Sequence, residues 1–152
     1  MLTNMQTKKL FEFITMALIL FGGSLTTSFA STVDQIEMKV SIEKQTMQVF
    51  ENGKLTYVWP VSTARSGKIT PKGSWTAKWL SQYHKSSRYN NAPMPYSIFY
   101  NGDFAVHGTD QIGKLGTPAS AGCIRLHPQN AEILFNKVKS VGLDQAIISV
   151  ID

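Results

Sequence analysis

Residues 36 to 61 alternate apolar and polar side chains with a period of two, and that pattern leaves few folds open. Ile36, Met38, Val40 and Ile42 fall on one face, and Glu37, Lys39 and Ser41 on the other. Successive strand side chains point to opposite faces, so the stretch reads as a half-buried strand and not a helix. "EKQT" (43–46) turns the chain, Met47 and Val49 resume the alternation, and Asn52-Gly53 comes next. An Asn-Gly pair favours a two-residue hairpin, whose central positions both need positive φ. Leu55, Tyr57, Trp59 and Val61 then alternate again. Three strands joined by tight turns predict an antiparallel meander.

Beyond it, "ARSGKITPKG" (64–73) is polar turn sequence, and "SWTAKWL" (74–80) reads as one further strand. Residues 81–95, "SQYHKSSRYNNAPMP", carry Tyr83, His84 and Tyr89 and read as a long loop, either a lid over a site or a plain surface excursion. "YSIFYNGDFAVHG" (96–108) is a second hairpin turning at Asn101-Gly102, and its second strand ends on His107-Gly108. A glycine-containing loop leads to "SAGCIRL" (120–126). Pro128 suits a first helical turn, Ala131, Leu134, Val138 and Val141 recur at helical spacing, and Gly142 suits the C-terminal cap. "DQAIISVI" (144–151) closes the chain as a last strand. The expected class is mostly β with one or two helices, an α+β fold. With 152 residues, 43% of them hydrophobic and 16% charged, the chain suits one compact domain and not a disordered polyelectrolyte.

The first 30 residues differ. Lys8 and Lys9 precede the apolar run "FITMALILF" (13–21), and Ser28-Phe29-Ala30 supplies a small-x-small site. This reads as a secretory signal over residues 1–30, leaving a single domain over 31–152. A spanning helix needs about 20 apolar residues, so no stable membrane span is expected after cleavage, and the location expected is outside the cytoplasm. Removing Lys8, Lys9 and Glu12 lowers the net charge from +5 to +4. A modest basic excess suits an anionic matrix, and without a Lys/Arg run no nucleic-acid partner is expected.

The chain has one cysteine, Cys123. An oxidising compartment favours paired cysteines, so a lone one is either a small buried hydrophobe or a free reactive thiol. Reactivity requires a partner for the thiol proton, and His84, His107 and His127 are the three candidates. Gly122 removes a side chain that would crowd an approaching carbonyl, and the Gly122 and Cys123 N–H groups could receive an oxyanion. Arg125 is either a fork for a substrate carboxylate or a structural pin. No ligand pair has a usual metal spacing, so no metal is expected. His107 precedes Cys123, the reverse of the papain order.

"VHGT" (106–109) followed by "SAGCIRL" resembles the L,D-transpeptidase catalytic domain, also called the YkuD domain. "TPKG" (70–73), "MPYSIFYNGDFAVHG" (94–108) and "LHPQNAEILFNKV" (126–138) add to the resemblance, which covers roughly residues 36–150. It implies a β-sandwich or mixed sheet closed by the helix, and an enzyme of the periplasm or cell wall that needs no cofactor. It implies Cys123 as nucleophile, His107 as general base and then acid, the Gly108 carbonyl as orienter of the imidazole, and Gly122 and Ser120 as shapers of the nucleophile loop. Ser120, Arg125 and Tyr96 are the implied substrate contacts. The implied partners are peptidoglycan stem peptides and an amine acceptor, such as another stem, a free D-amino acid or a wall-anchored lipoprotein. Water as acceptor would instead make a carboxypeptidase, and a wall-binding domain without catalysis is the further alternative. One position departs: the family commonly has His where this chain has Ala121.

Overall fold

The computed structural model describes residues 34–152, so the signal expected over residues 1–30 lies outside the described residues. The elements are β1 (Ile36–Ser41), β2 (Thr46–Glu51), β3 (Lys54–Pro60), β4 (Gly73–Thr76), β5 (Trp79–Lys85), β6 (Pro93–Asn101), β7 (Phe104–Gly108), β8 (Ile124–Leu126), α1 (Pro128–Val141) and β9 (Ala146–Ile151). Short 3-10 turns lie at Ile112–Lys114 and Leu143–Gln145. The strands build a five-stranded sheet, β3-β2-β1-β9-β4, and a four-stranded sheet, β5-β6-β7-β8.

The meander forms as its alternation requires, with β1–β2 and β2–β3 antiparallel. Asn52 and Gly53 adopt φ of 51° and 78°, the pair of positive values that a tight hairpin with right-handed strand twist needs. On its other side β1 pairs in parallel with β9, Ile36 opposite Ala146, so the last strand is locked beside the first. Met38, Val40, Met47 and Val49 of one sheet, Ile98, Val106 and Ile124 of the other, and Leu134 and Val138 of α1 are all 0% exposed in one cluster. The two sheets therefore share one core, closed by the helix. Pro128 opens α1 and the His127 side chain caps it by accepting the Gln129 N–H at 3.3 Å. Gly142, at φ 94°, ends it.

The chain between 74 and 95 differs from the sequence expectation. "SWTAKWL" is not one strand. β4 ends in the first sheet and β5 begins in the second, and the two residues between them bond to different sheets: Ala77 N–H to Ala146 O at 2.8 Å, Lys78 N–H to Phe99 O at 2.7 Å. Period-two patterning reports which side faces a core, not which sheet a strand joins. Residues 81–95 are not a long loop either. They are the arm of a β5–β6 hairpin, with only residues 86–92 left as its turn. β5 is an edge strand whose Gln82, Tyr83 and Lys85 are exposed, so the apolar alternation that marks a strand is missing.

On β6 Tyr96 has φ 55°, a left-handed value uncommon for a bulky residue. The alternation is reset on both strands of the hairpin. Met94 and Phe99, five positions apart, pack in one cluster, and on β5 Trp79 and His84 meet edge-on with centroids 5.6 Å apart. An uninterrupted strand would put such pairs on opposite faces.

One buried side chain ties the meander to the segment after β3. Gln45, 3% exposed, donates from Nε2 to Ile42 O at 2.7 Å and to Thr63 Oγ1 at 2.6 Å. Its Oε1 accepts the Thr63 N–H at 2.9 Å, and its backbone carbonyl accepts the Val61 N–H at 2.8 Å. Gln45→Ala leaves the Thr63 N–H buried without its acceptor. The expected loss is about 1–3 kcal/mol in urea unfolding at unchanged m-value; an unchanged midpoint would contradict the role given to Gln45.

Candidate active site

β8 has three residues and is held on both flanks. On one side it runs parallel to β7, with Val106 opposite Ile124, His107 opposite Arg125 and Gly108 opposite Leu126. On the other, Ser62 and Arg125 exchange backbone hydrogen bonds of 3.0 and 2.9 Å. Val106, Ile124 and Leu126 point into the core at 0% exposure. By alternation His107 and Arg125 share the opposite face, and Cys123, two residues before Arg125, lies on it too. Cys123 packs there against Met94, Phe99 and Ala105. Cys123, His107 and Arg125 border a cleft of about 550 Å³, shared with Trp79, His84 and Arg88 of the β5–β6 hairpin.

His107 is 5% exposed, and its Nδ1 lies 2.7 Å from Gly108 O. A carbonyl can only accept, so the proton sits on Nδ1 and Nε2 is left as the basic lone pair. Burial pushes the imidazole pKa down to about 4; the Gly108 carbonyl opposes the shift, while Arg125 and His84 add to it. Burial also raises the Cys123 thiol, against the Ala105 backbone hydrogen bond and the Arg125 charge, which lower it, and with Asp103, which raises it. Sγ reaches Asp103 O at 3.7 Å. At neutral pH both groups are therefore uncharged: a thiol and an imidazole, not an ion pair.

The loop before β8 is braced from below. Gly122 has φ 138°, and a Cβ there would sit 2.6 Å from Phe104 Cε1 and 2.8 Å from Ile69 O. The side chain is excluded by the protein itself, not by an approaching substrate. The Gly122 N–H donates to Ser120 Oγ at 3.0 Å, so this amide is engaged inward and Cys123 N–H remains the oxyanion candidate of the two. Thr70 Oγ1 donates to Gly122 O at 2.8 Å and accepts the Ala64 N–H at 3.0 Å.

The remaining candidates divide. Ser120 is 0% exposed and braces the loop at the cleft floor. Arg125 reaches the cleft, with Nη1 3.1 Å from Gln111 Oε1. Tyr96 is not among the cleft residues: its ring meets Phe135 of α1 and its hydroxyl donates to Glu132 at 2.8 Å. His127 caps α1. His84 enters the cleft edge-on to Phe99. Thr70, Arg65 and Trp79 are parts of the site that sequence reasoning missed. "TPKG" pointed to Thr70, but no local pattern marks Arg65 or Trp79.

The family model for the L,D-transpeptidase catalytic domain, YkuD, matches residues 36–148. The chain belongs to this family. Among curated relatives, the protein from Bacillus licheniformis named as L,D-transpeptidase YkuD is 24% identical over 99 residues, 62% of this chain and 54% of that protein. The Escherichia coli protein named as L,D-transpeptidase YbiS is 26% identical over 132 residues, 69% of this chain and 43% of that one. The chain thus spans about half the length of these relatives. An L,D-transpeptidase from Mycobacterium smegmatis superposes with a TM-score of 0.70 at 21% identity, over 78% of this chain and 59% of that one. The L,D-transpeptidase LdtMt1, solved in complex with imipenem, gives 0.68 at 23% identity over the same shares. At these identities the structures speak for the fold: two sheets and a closing helix, as the family resemblance implied.

The buried imidazole makes a prediction about stability. His107 binds its proton at about pH 4 when folded and near 6.5 when unfolded. Between those values the unfolded chain holds the extra proton, so the stability conferred by neutral His107 is complete above pH 6.5 and is lost as pH falls towards 4. The loss is about 3 kcal/mol at 1.36 kcal/mol per unit. Urea unfolding at pH 7 and 4.5 should show a large drop for wild type and a smaller one for His107→Gln; parallel drops would contradict the assignment.

Proposed function

We propose that the protein is an exported cysteine L,D-transpeptidase acting on peptidoglycan stem peptides. The observation that carries the reading is the register of β7 and β8, which sets neutral His107, its Nδ1–H held by Gly108, on the same cleft face as Cys123.

The donor is a tetrapeptide stem. As Cys123 Sγ attacks the carbonyl of its third, L-centred residue, the thiol proton passes to His107 Nε2. The resulting imidazolium protonates the amine of the terminal D-residue as the C–N bond breaks, leaving an acyl-thioester on Cys123 and neutral His107. An acceptor amine attacks the thioester, His107 takes its proton, and collapse of the intermediate returns that proton to the departing sulfur. The acceptor is the side chain of another stem, a free D-amino acid or a lysine of a wall-anchored protein. Buried, uncharged partners suit this general-base route, because no thiolate is exposed to oxidation between turnovers. The setting proposed is the periplasm or cell wall.

LdtMt1 has been solved in complex with imipenem, and a carbapenem should acylate Cys123 here. Intact-mass measurement is expected to show one adduct on the wild type, none on Cys123→Ala, and about 10²–10⁴-fold slower formation on His107→Gln. An equal adduct on Cys123→Ala would overturn the assignment of the nucleophile.

A further inference from the structure

The segment after β3 brings a second cation to the cleft. Arg65 N–H donates to Ser120 O at 2.9 Å, and Arg65 O accepts the Lys68 N–H at 3.0 Å. The residue is thereby fixed against the nucleophile loop, with its side chain exposed at the cleft. Arg125 stands half-buried on the same cleft, and its side chain bonds to the neutral Gln111 amide. Among the described residues neither Arg65 nor Arg125 is in an ion pair, whereas Arg88 is paired with Asp103 at 2.6 Å. Burial and the Arg65 charge both weaken the hold of Arg125 on its proton, and Asp110 and Cys123 oppose this. Once Arg88 and Asp103 cancel, two guanidiniums face a single carboxylate, Asp110, which forms an ion pair with neither.

We propose that Arg65 and Arg125 form an anion subsite for the free C-terminal carboxylate of the donor, with Arg65 a specificity-determining residue. A half-buried guanidinium without a counter-ion is poorly compensated, and two cations on one cleft repel; a carboxylate bound by both relieves this. Guanidinium forks match a carboxylate in bidentate geometry. Arg125 lies two residues from Cys123 and on the same face, and in the proposed reaction the terminal carboxylate lies one residue beyond the carbonyl that Cys123 attacks. A donor amidated at its terminus loses this contact.

The inference rests on the proposed donor class, so its test uses binding rather than turnover. Calorimetric titration is made on the full chain carrying Cys123→Ala, with L-alanyl-γ-D-glutamyl-L-lysyl-D-alanine and with its C-terminal carboxamide. The free acid is expected to bind about tenfold more tightly, as loss of a charge-assisted contact predicts. Adding Arg65→Gln should reduce the preference to the part that Arg125 supplies alone, and Arg65→Lys should reduce it less. An unchanged melting temperature verifies that each variant is folded. Equal binding of the two peptides before Arg65 is changed, or an undiminished preference in Arg65→Gln, overturns the subsite. An equal loss for both peptides also overturns it, since it places the arginines on the glutamyl carboxylate that both share. No binding of either peptide removes the donor class along with the subsite. Failure of Cys123 as a nucleophile would leave the titration unaffected.

Discussion

Ile124–Leu126 hold the site in place, and they do so only because hydrogen bonds reach them from both flanks. A three-residue strand has too few ladder bonds to define its own register. β7 supplies one edge and Ser62 the other, and Ser62 is itself fixed through its neighbours. Thr63 is clasped by buried Gln45, and the Thr63 carbonyl accepts both Ala119 N–H at 2.9 Å and Ser120 N–H at 2.8 Å. A turn in the meander is thus linked through one peptide to the loop that presents Cys123. Slipping β8 by one residue would send Cys123 and Arg125 into the core and Ile124 into the cleft. The core, which admits no charge, therefore enforces the register of the site.

Burial also sets the electrostatics. It lowers the basicity of His107 and the acidity of Cys123 together, so both side chains are uncharged at neutral pH. The Gly108 carbonyl fixes the tautomer rather than adding charge. Positive potential comes from the arginines that line the cleft, while the Cys123–His107 pair stays neutral.

Much of this is legible in the sequence because it rests on local rules. The meander, the Asn52-Gly53 turn, the capped helix and the strand ending on His107 each come from alternation, turn chemistry or helical spacing. The features that escape a sequence reading are non-local. The division of 74–80 between two sheets leaves no periodic mark. β5 reads as loop because an edge strand facing solvent has no reason to be apolar. Tyr96 is implied as a substrate contact by its place in a family stretch, and no sequence pattern marks its positive φ or the contact of its ring with Phe135 of α1. Gly122 is necessary for a different reason than the sequence suggests: Phe104 and Ile69 forbid a side chain there. Arg65 sits in an unremarkable polar turn and joins the site only through the bridge from Ala64 to Ser120.

The central claim is that Cys123 carries the acyl group during turnover. It is tested most directly by mixing the protein with a tetrapeptide stem without an amine acceptor, quenching in acid within the first turnover, and weighing the intact chain. The account predicts an added mass equal to the stem less the released terminal D-amino acid, one water lighter than the free tripeptide, borne on the peptide containing Cys123 and released by hydroxylamine. Release of the terminal residue with no such adduct at any quench time, or at an equal rate from Cys123→Ala, would contradict it.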